Sequence, residues 1–299
     1  MHYKITNSIK TNRKVLDNQM KNLRFTKMHG AGNDYIYING FTQHIENPSQ
    51  LAIQLSNRNF GIGSDGLVLI LPSEISDFRM QMFNSDGSEA EMCGNASRCV
   101  GKYVYDNGLT DKKEITLETK AGVKYITLLE GDEKAREVTV DMGEPILNPE
   151  LIPVKVAEEP VLNYPLDIDG KIWKISCVSM GNPHAVVFME GIKDLDLPVQ
   201  GPKFENHPIF PRRTNTEFIE VVDRNTLNMR VWERGAGETL ACGTGACAAA
   251  VAAILNDYCD RNIKIHLLGG DLDIEWNQEN NHVYMTGEAV TVFEGELVN

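Results

Sequence analysis

Met92–Asp106, MCGNASRCVGKYVYD, and Ala241–Leu255, ACGTGACAAAVAAIL, decide how the rest of the chain is read. Each opens on a small or flexible apolar residue and Cys-Gly, then runs on at helical spacing. Cys93 and Cys242 are 242 − 93 = 149 residues apart, and Gly-Asn at 32–33 returns at 181–182 with the same shift. Asn84 and Glu233 each stand nine residues ahead of their Cys, and Glu89 and Glu238 each stand four ahead. One shift superposes four landmarks, so the chain reads as a duplication in which each half presents one thiol.

The length supports this division. At 299 residues, with 42% hydrophobic composition, the chain is long enough for two cores of about 150 residues each. Its net charge of −13, with no block of basic residues, argues against nucleic acid and anionic membrane surfaces as partners. No apolar run reaches about 18 residues and no leader pattern is present, so the expected location is the cytoplasm. There the six cysteines would stay reduced, and their spacings match neither a CxxC redox pair nor a zinc site. No metal and no cofactor is expected. Residues 1–22 are polar and lysine-rich and read as an N-terminal extension, with Met20 as an alternative start.

Between the landmarks, short runs alternate with period two. In the first half these are 23–28, 35–39, 66–71, 78–83, 114–119, 123–129 and 136–142; in the second, 171–180, 185–190, 216–222, 227–233, 262–268, 272–276 and 282–286. The main helix of each half follows its Cys. The first stops at Asn107-Gly108, and the second is apolar all round from Ala246 to Leu255 and must be enclosed by protein. A smaller helix starts at Pro48 and runs to about Arg58. The expected architecture is α+β: two structurally similar, pseudo-symmetric domains, each a mixed sheet wrapped round a central helix, with the active site in the interdomain cleft. The expected boundaries are 23–145 for the first domain and 146–287 for the second. The C-terminal segment 288–299 has no counterpart in the repeat and should return as a strand to the first domain.

A thiol at a helix entrance meets backbone N–H groups without helical partners and the positive end of the dipole, which should lower its pKa towards neutrality. The same N–H groups bind carboxylates. Two such entrances aimed at one cleft would hold one carboxylate through Gly94, Asn95, Gly243 and Thr244, with a sulfur on either face of the adjacent carbon. That suits removal of a proton by one Cys and its return by the other, inverting an α-amino acid without a cofactor. Cys99, Cys177, Cys247 and Cys259 read as core thiols, and Glu89 and Glu238 as capping or supporting their helix approaches rather than binding ligand. His29 reads as structural. His184 reads either as a support for a catalytic Cys or as a loop histidine. Residues 243–248, GTGACA, also satisfy a dinucleotide fingerprint, but no buried strand immediately precedes them.

The motifs MHGAGNDYIYING (28–40), GIGSDG (61–66), FNSDGSEAEMCGNASRC (83–99), MGNPHAVVF (180–188), RRTNTEF (212–218) and ERGAGETLACGTGACAAA (233–250) resemble those of the diaminopimelate epimerase family, in the family's order. The resemblance runs from about Leu23 to Asn299. It implies a pyridoxal-independent, two-base interconversion of LL- and meso-2,6-diaminoheptanedioate in lysine and cell-wall precursor synthesis, by a homodimer. It implies that Cys93 and Cys242 are the catalytic pair, that Gly94, Asn95, Gly243 and Thr244 hold the reacting carboxylate, and that Asn33, Asn84, Asn182, Asn215, Glu233 and Arg234 hold the remote end. Gly66 departs from some members, which carry Gln there. The competing readings are a proline or hydroxyproline racemase, which should show His where this chain has Asn95, and a non-catalytic thiol-containing binding protein.

Overall fold

The computed structural model describes residues 21–130 and 135–298, so the extension expected at 1–22 lies almost wholly outside the described residues. In chain order the elements are β1 (Arg24–Gly30), β2 (Asn33–Asn39), α1 (Pro48–Ser56), β3 (Gly66–Leu71), β4 (Phe78–Asn84), β5 (Glu89–Ala90), α2 (Gly94–Asp106), β6 (Glu114–Thr119), β7 (Gly122–Glu130) and β8 (Ala135–Gly143). They continue with β9 (Tyr164–Ile168), β10 (Lys171–Ser179), β11 (Pro183–Phe188), α3 (Leu197–Glu205), β12 (Asn215–Asp223), β13 (Thr226–Glu233), β14 (Gly237–Thr239), α4 (Gly243–Leu255), β15 (Asn262–Leu267), β16 (Gly270–Trp276), β17 (Val283–Glu288) and β18 (Val290–Glu296). No described helix is long and apolar enough to cross a membrane.

The repeat is a repeat of structure. Both main helices have 13 residues, and their first residues, Gly94 and Gly243, are 243 − 94 = 149 apart. The Gly-Asn turns also match, with Gly32 at φ 80° and Gly181 at φ 95°, a left-handed conformation that glycine adopts without a Cβ penalty.

The described residues divide into two compact units, one containing residues 21–128, 135 and 289–298, the other 129–130 and 136–288. In the first, the sheet order is β18–β1–β2–β3–β4–β6–β7, with β2–β3 and β4–β6 parallel and the other neighbours antiparallel. In the second it is β9–β10–β11–β12–β13–β15–β16–β17–β8, with β11–β12 and β13–β15 parallel. The C-terminal strand β18 lies antiparallel to β1. Strand β8 differs from the sequence-based boundary at 145. It pairs antiparallel with β17 and so belongs to the second unit, because its backbone donors are met there.

Helix α2 is buried from Gly94 to Val104, and α4 from Gly243 to Ala253 except at Thr244. Small residues explain α4: its alanines let β10, β11, β12, β16 and β17 approach it from several sides. Helix α1 starts as the sequence predicts, with Asn47 Oδ1 accepting from Gln50 N at 3.2 Å and Pro48 in the first turn. Helix α3 and strand β9 have no counterpart in the sequence reading. The two prolines of α3, Pro198 and Pro202, obscure its periodicity, and an Asp196 cap starts it instead.

Candidate functional site

Cys93 and Cys242 are the N-cap residues of α2 and α4, each in an extended conformation, with no side-chain cap at either helix. Of the capping or supporting role expected of Glu89 and Glu238, the capping half fails, since neither caps these helices. They lie on the short strands β5 and β14 and turn to other partners: Glu89 accepts from Gln81 Nε2 at 2.9 Å, and Glu238 forms a two-pronged ion pair with Arg230. A carboxylate meets a guanidinium fork better than a helix end that is one turn away.

In the first unit the half-buried Cys93 donates to Asn33 Oδ1 over 3.4 Å, and Asn95 Nδ2 reaches the same oxygen at 3.5 Å. Asn33 is held in that orientation from behind. Its Nδ2 donates to Asp65 Oδ2 at 2.8 Å, and a carboxylate only accepts, so the amide oxygen must face the thiol. Asp65 is anchored by Arg58, which also binds Asp34, while Lys27 pairs with Asp34 and donates to the Gly63 carbonyl. Burial alone would raise the Asp34 carboxyl, but hydrogen bonds from Arg58 and Lys27 hold it below its usual value. Asn95 Oδ1 accepts from Arg98, whose side chain is wholly buried. Asn84, the last residue of β4, donates to Ser88 Oγ at 3.0 Å and sits opposite Gly66 across the β3–β4 pair. A Cβ at Gly66 would meet the Phe83 carbonyl oxygen at 2.1 Å, so this backbone has no room for a side chain there.

In the second unit Cys242 lies 3.6 Å from Thr244 Oγ1, which accepts from Asn182 Nδ2 at 3.2 Å. Asn182 Oδ1 faces His184 Nε2 at 3.0 Å, and His184 Nδ1 faces Glu217 Oε1 at 2.7 Å. His184 and Glu217 are both fully buried. Glu233 accepts a hydrogen bond from Thr239, and its carboxylate charge is felt by the Cys242 thiol. Burial first, then the Glu217 charge, raises its carboxyl above the usual range. Asn215 orders the neighbouring loop: its Nδ2 donates to the Pro183 carbonyl at 3.0 Å and its Oδ1 accepts from Arg234 N at 2.8 Å. The exposed Arg234 guanidinium donates to the Arg212 carbonyl.

For Cys242 the expected lowering of the thiol pKa is overturned. Burial pushes it well above the ordinary value, the Glu233 and Glu217 carboxylates push the same way, and the Thr244 hydroxyl and Gly245 N–H oppose them without winning. Desolvation of an anion outweighs a helix terminus here. Burial therefore favours the thiol form of Cys242 over the thiolate. Cys99, Cys177, Cys247 and Cys259 are buried, and burial lifts Cys99 to about 11. His29 has the structural role expected of it, accepting from Gly32 N at the Gly-Asn turn. No group of three or more metal-ligating side chains occurs among the described residues.

The sequence reading missed Asp65, Arg58 and Glu217. Asp65 carried a weak signal as part of GIGSDG, but Glu217 sits in a strand with ordinary alternation and nothing local marks it as buried.

Comparison with known proteins agrees with the motifs. A family model described as diaminopimelate epimerase matches residues 25–148 and 176–292. A diaminopimelate epimerase from Acetivibrio thermocellus is 64% identical over 275 residues, covering 92% of this chain and 98% of that protein. One from Desulfovibrio desulfuricans is 61% identical over 280 residues, with 92% and 98% covered. Among solved structures, a PhzF-family phenazine biosynthesis protein from Bacillus anthracis superposes with TM-score 0.66 at 17% identity, covering 94% of this chain and 100% of that one. A probable proline racemase from Agrobacterium radiobacter K84 gives 0.65 at 16%, covering 91% and 92%. These two share the fold.

Proposed function

The chain belongs to the diaminopimelate epimerase family, and we propose that it interconverts LL- and meso-2,6-diaminoheptanedioate by proton transfer at one α-carbon, with Cys93 and Cys242 as the acid/base pair. The observation that carries this reading is the equivalence of the two thiols: each is the N-cap of a buried 13-residue helix at the same place in a duplicated scaffold. Each also has a neighbouring amide, Asn33 at Cys93 and Asn182, through Thr244, at Cys242.

In this reading the substrate enters with one sulfur as thiolate and the other as thiol. The thiolate takes the α-proton, and the thiol delivers its own to the opposite face of the carbanion. Free N–H groups at the first turns, at Gly94, Asn95, Gly243 and Thr244, hold the reacting carboxylate and take up its growing charge. A protonated Cys242 is suited to begin as the acid. Glu233 offers a carboxylate to a substrate ammonium group and Arg234 a guanidinium fork to the remote carboxylate, with Asn84 and Asn215 completing the polar lining. A proline-type racemase has no remote carboxylate for Arg234 to hold, and Asn95 stands where its His is expected. Six reduced thiols support a cytoplasmic location, and the family resemblance supports a homodimer.

The test is incubation with the LL isomer in deuterated water without pyridoxal phosphate. Deuterium at one α-carbon together with the meso isomer is the expected result, and an unlabelled product pool sinks the reading.

A further inference from the structure

Behind Cys242 lies a run of five side chains that the catalytic reading uses only in part. Glu217, His184, Asn182, Thr244 and Cys242 are joined end to end at 2.7, 3.0, 3.2 and 3.6 Å. Each link has a direction. His184 Nε2 faces an amide oxygen, which only accepts, so this nitrogen carries a hydrogen. His184 Nδ1 faces a carboxylate oxygen at 2.7 Å, so a second proton lies on that nitrogen or is shared along the contact. Asn182 then turns its NH2 to Thr244 Oγ1, which accepts, leaving the Thr244 hydrogen for the sulfur.

Burial gives the proton count its force. His184 and Glu217 have no solvent exposure, and Glu217 Oε2 has no protein donor, so the Glu217 charge is met by the ring alone. A lone carboxylate there would oppose a thiolate at Cys242, whereas a pair carrying the extra proton is neutral overall. Gly245 makes room for this arrangement: a Cβ at that position would lie 2.5 Å from Glu217 Oε1 and 3.2 Å from Cys242 Sγ. The other titratable groups facing the pair are Cys177 on β10, Glu233 on β13 and Cys242 on α4. The first half has nothing equivalent, since the positions 149 residues earlier are Tyr35 and Val68.

We propose that Glu217 is a positioning residue which keeps His184 doubly protonated, so that His184, Asn182 and Thr244 form a chain of hydrogen bonds whose donors all point towards the sulfur of Cys242. The sulfur rests as a thiol. When it gives its proton to the substrate carbanion, the donors needed by the new thiolate are already aligned and no reorientation is required. No proton leaves the His184–Glu217 pair in that step. The proposal rests on the epimerase reading for the identity of the step, but its structural core does not.

The test uses the full-length protein labelled with 15N-histidine, with the His184 signals assigned by their loss in His184→Gln. At pH 7.5 both ring nitrogens of His184 are expected to be protonated in the unsubstituted protein, with one protonated in Glu217→Gln, where a cationic ring would be a bare buried charge. In the same variant kcat should fall roughly 10- to 100-fold with KM little changed, as for loss of a preorganised donor, and Glu217→Asp should recover part of it. A neutral His184 ring in the unsubstituted protein overturns the proposal even if Glu217→Gln does not fold. So does a ring that stays doubly protonated in Glu217→Gln. Because the spectra need no substrate, a failure of the epimerase reading would leave them unaffected.

Discussion

At the scale of single residues, the two thiols are equivalent in position and opposite in surroundings. Cys93 faces a carbonyl oxygen fixed by Asp65, while Cys242 faces a hydroxyl fed by an imidazole–carboxylate pair. Replacing either sulfur by a hydroxyl removes a usable base, so Cys93→Ser and Cys242→Ser should each lower epimerisation by roughly three orders of magnitude or more. Near-ultraviolet circular dichroism should stay native, since neither side chain caps its helix. Full turnover in either variant would remove the two-base mechanism. Asp65→Asn tests the orientation of Asn33: an amide at 65 no longer forces the NH2 of Asn33 away from Cys93, and kcat should fall about tenfold with the fold retained. Unchanged kinetics would show that Asp65 does not hold that amide.

Among the elements, the helix–Cys junction depends on neighbours that are far away in sequence. Asp77, just ahead of β4, accepts from Lys112 Nζ at 2.5 Å, Thr116 N at 2.8 Å and Thr116 Oγ1 at 2.9 Å, tying the start of β4 to β6. The Lys112 bond first, then the Thr116 donors, holds the Asp77 carboxyl below its usual value. A depressed folded pKa means that the contribution is present above the unfolded carboxyl value, about 3.9, and is lost as pH falls through the folded one. Asp77→Asn should therefore lower Tm near neutral pH and lose less on acidification below about pH 4. Parallel Tm curves for the two proteins across that range would contradict the linkage.

For the whole molecule, the chain end is structural. Strand β18 is the partner of β1, with Phe25 and Phe293 in edge contact at 5.9 Å, and removing it exposes a strand edge beside the Gly-Asn turn that carries Asn33. A chain ending at Glu288 is expected to lose activity and to melt at a clearly lower temperature, measured by circular dichroism. A truncated protein with unaltered melting would show that β1 needs no such partner.

The duplication, the strand-rich halves, the two main helices and the place of Cys93 and Cys242 at their entrances follow from the sequence alone, because period-two and helical patterns and a fixed shift of 149 are local or countable properties. The C-terminal return was legible for the same reason: 288–299 has no partner in the repeat. What the tertiary structure decided is electrostatic and reciprocal. Neither the pairing of β8 with β17 nor the turn of Glu238 to Arg230 is marked by a sequence spacing. Burial of Glu217 beside His184 and Cys242 brings β11, β12 and α4 together, and the resulting desolvation reversed the expected shift of the Cys242 thiol. A helix entrance acts over one turn of known sequence, whereas loss of water depends on every element packed around the sulfur.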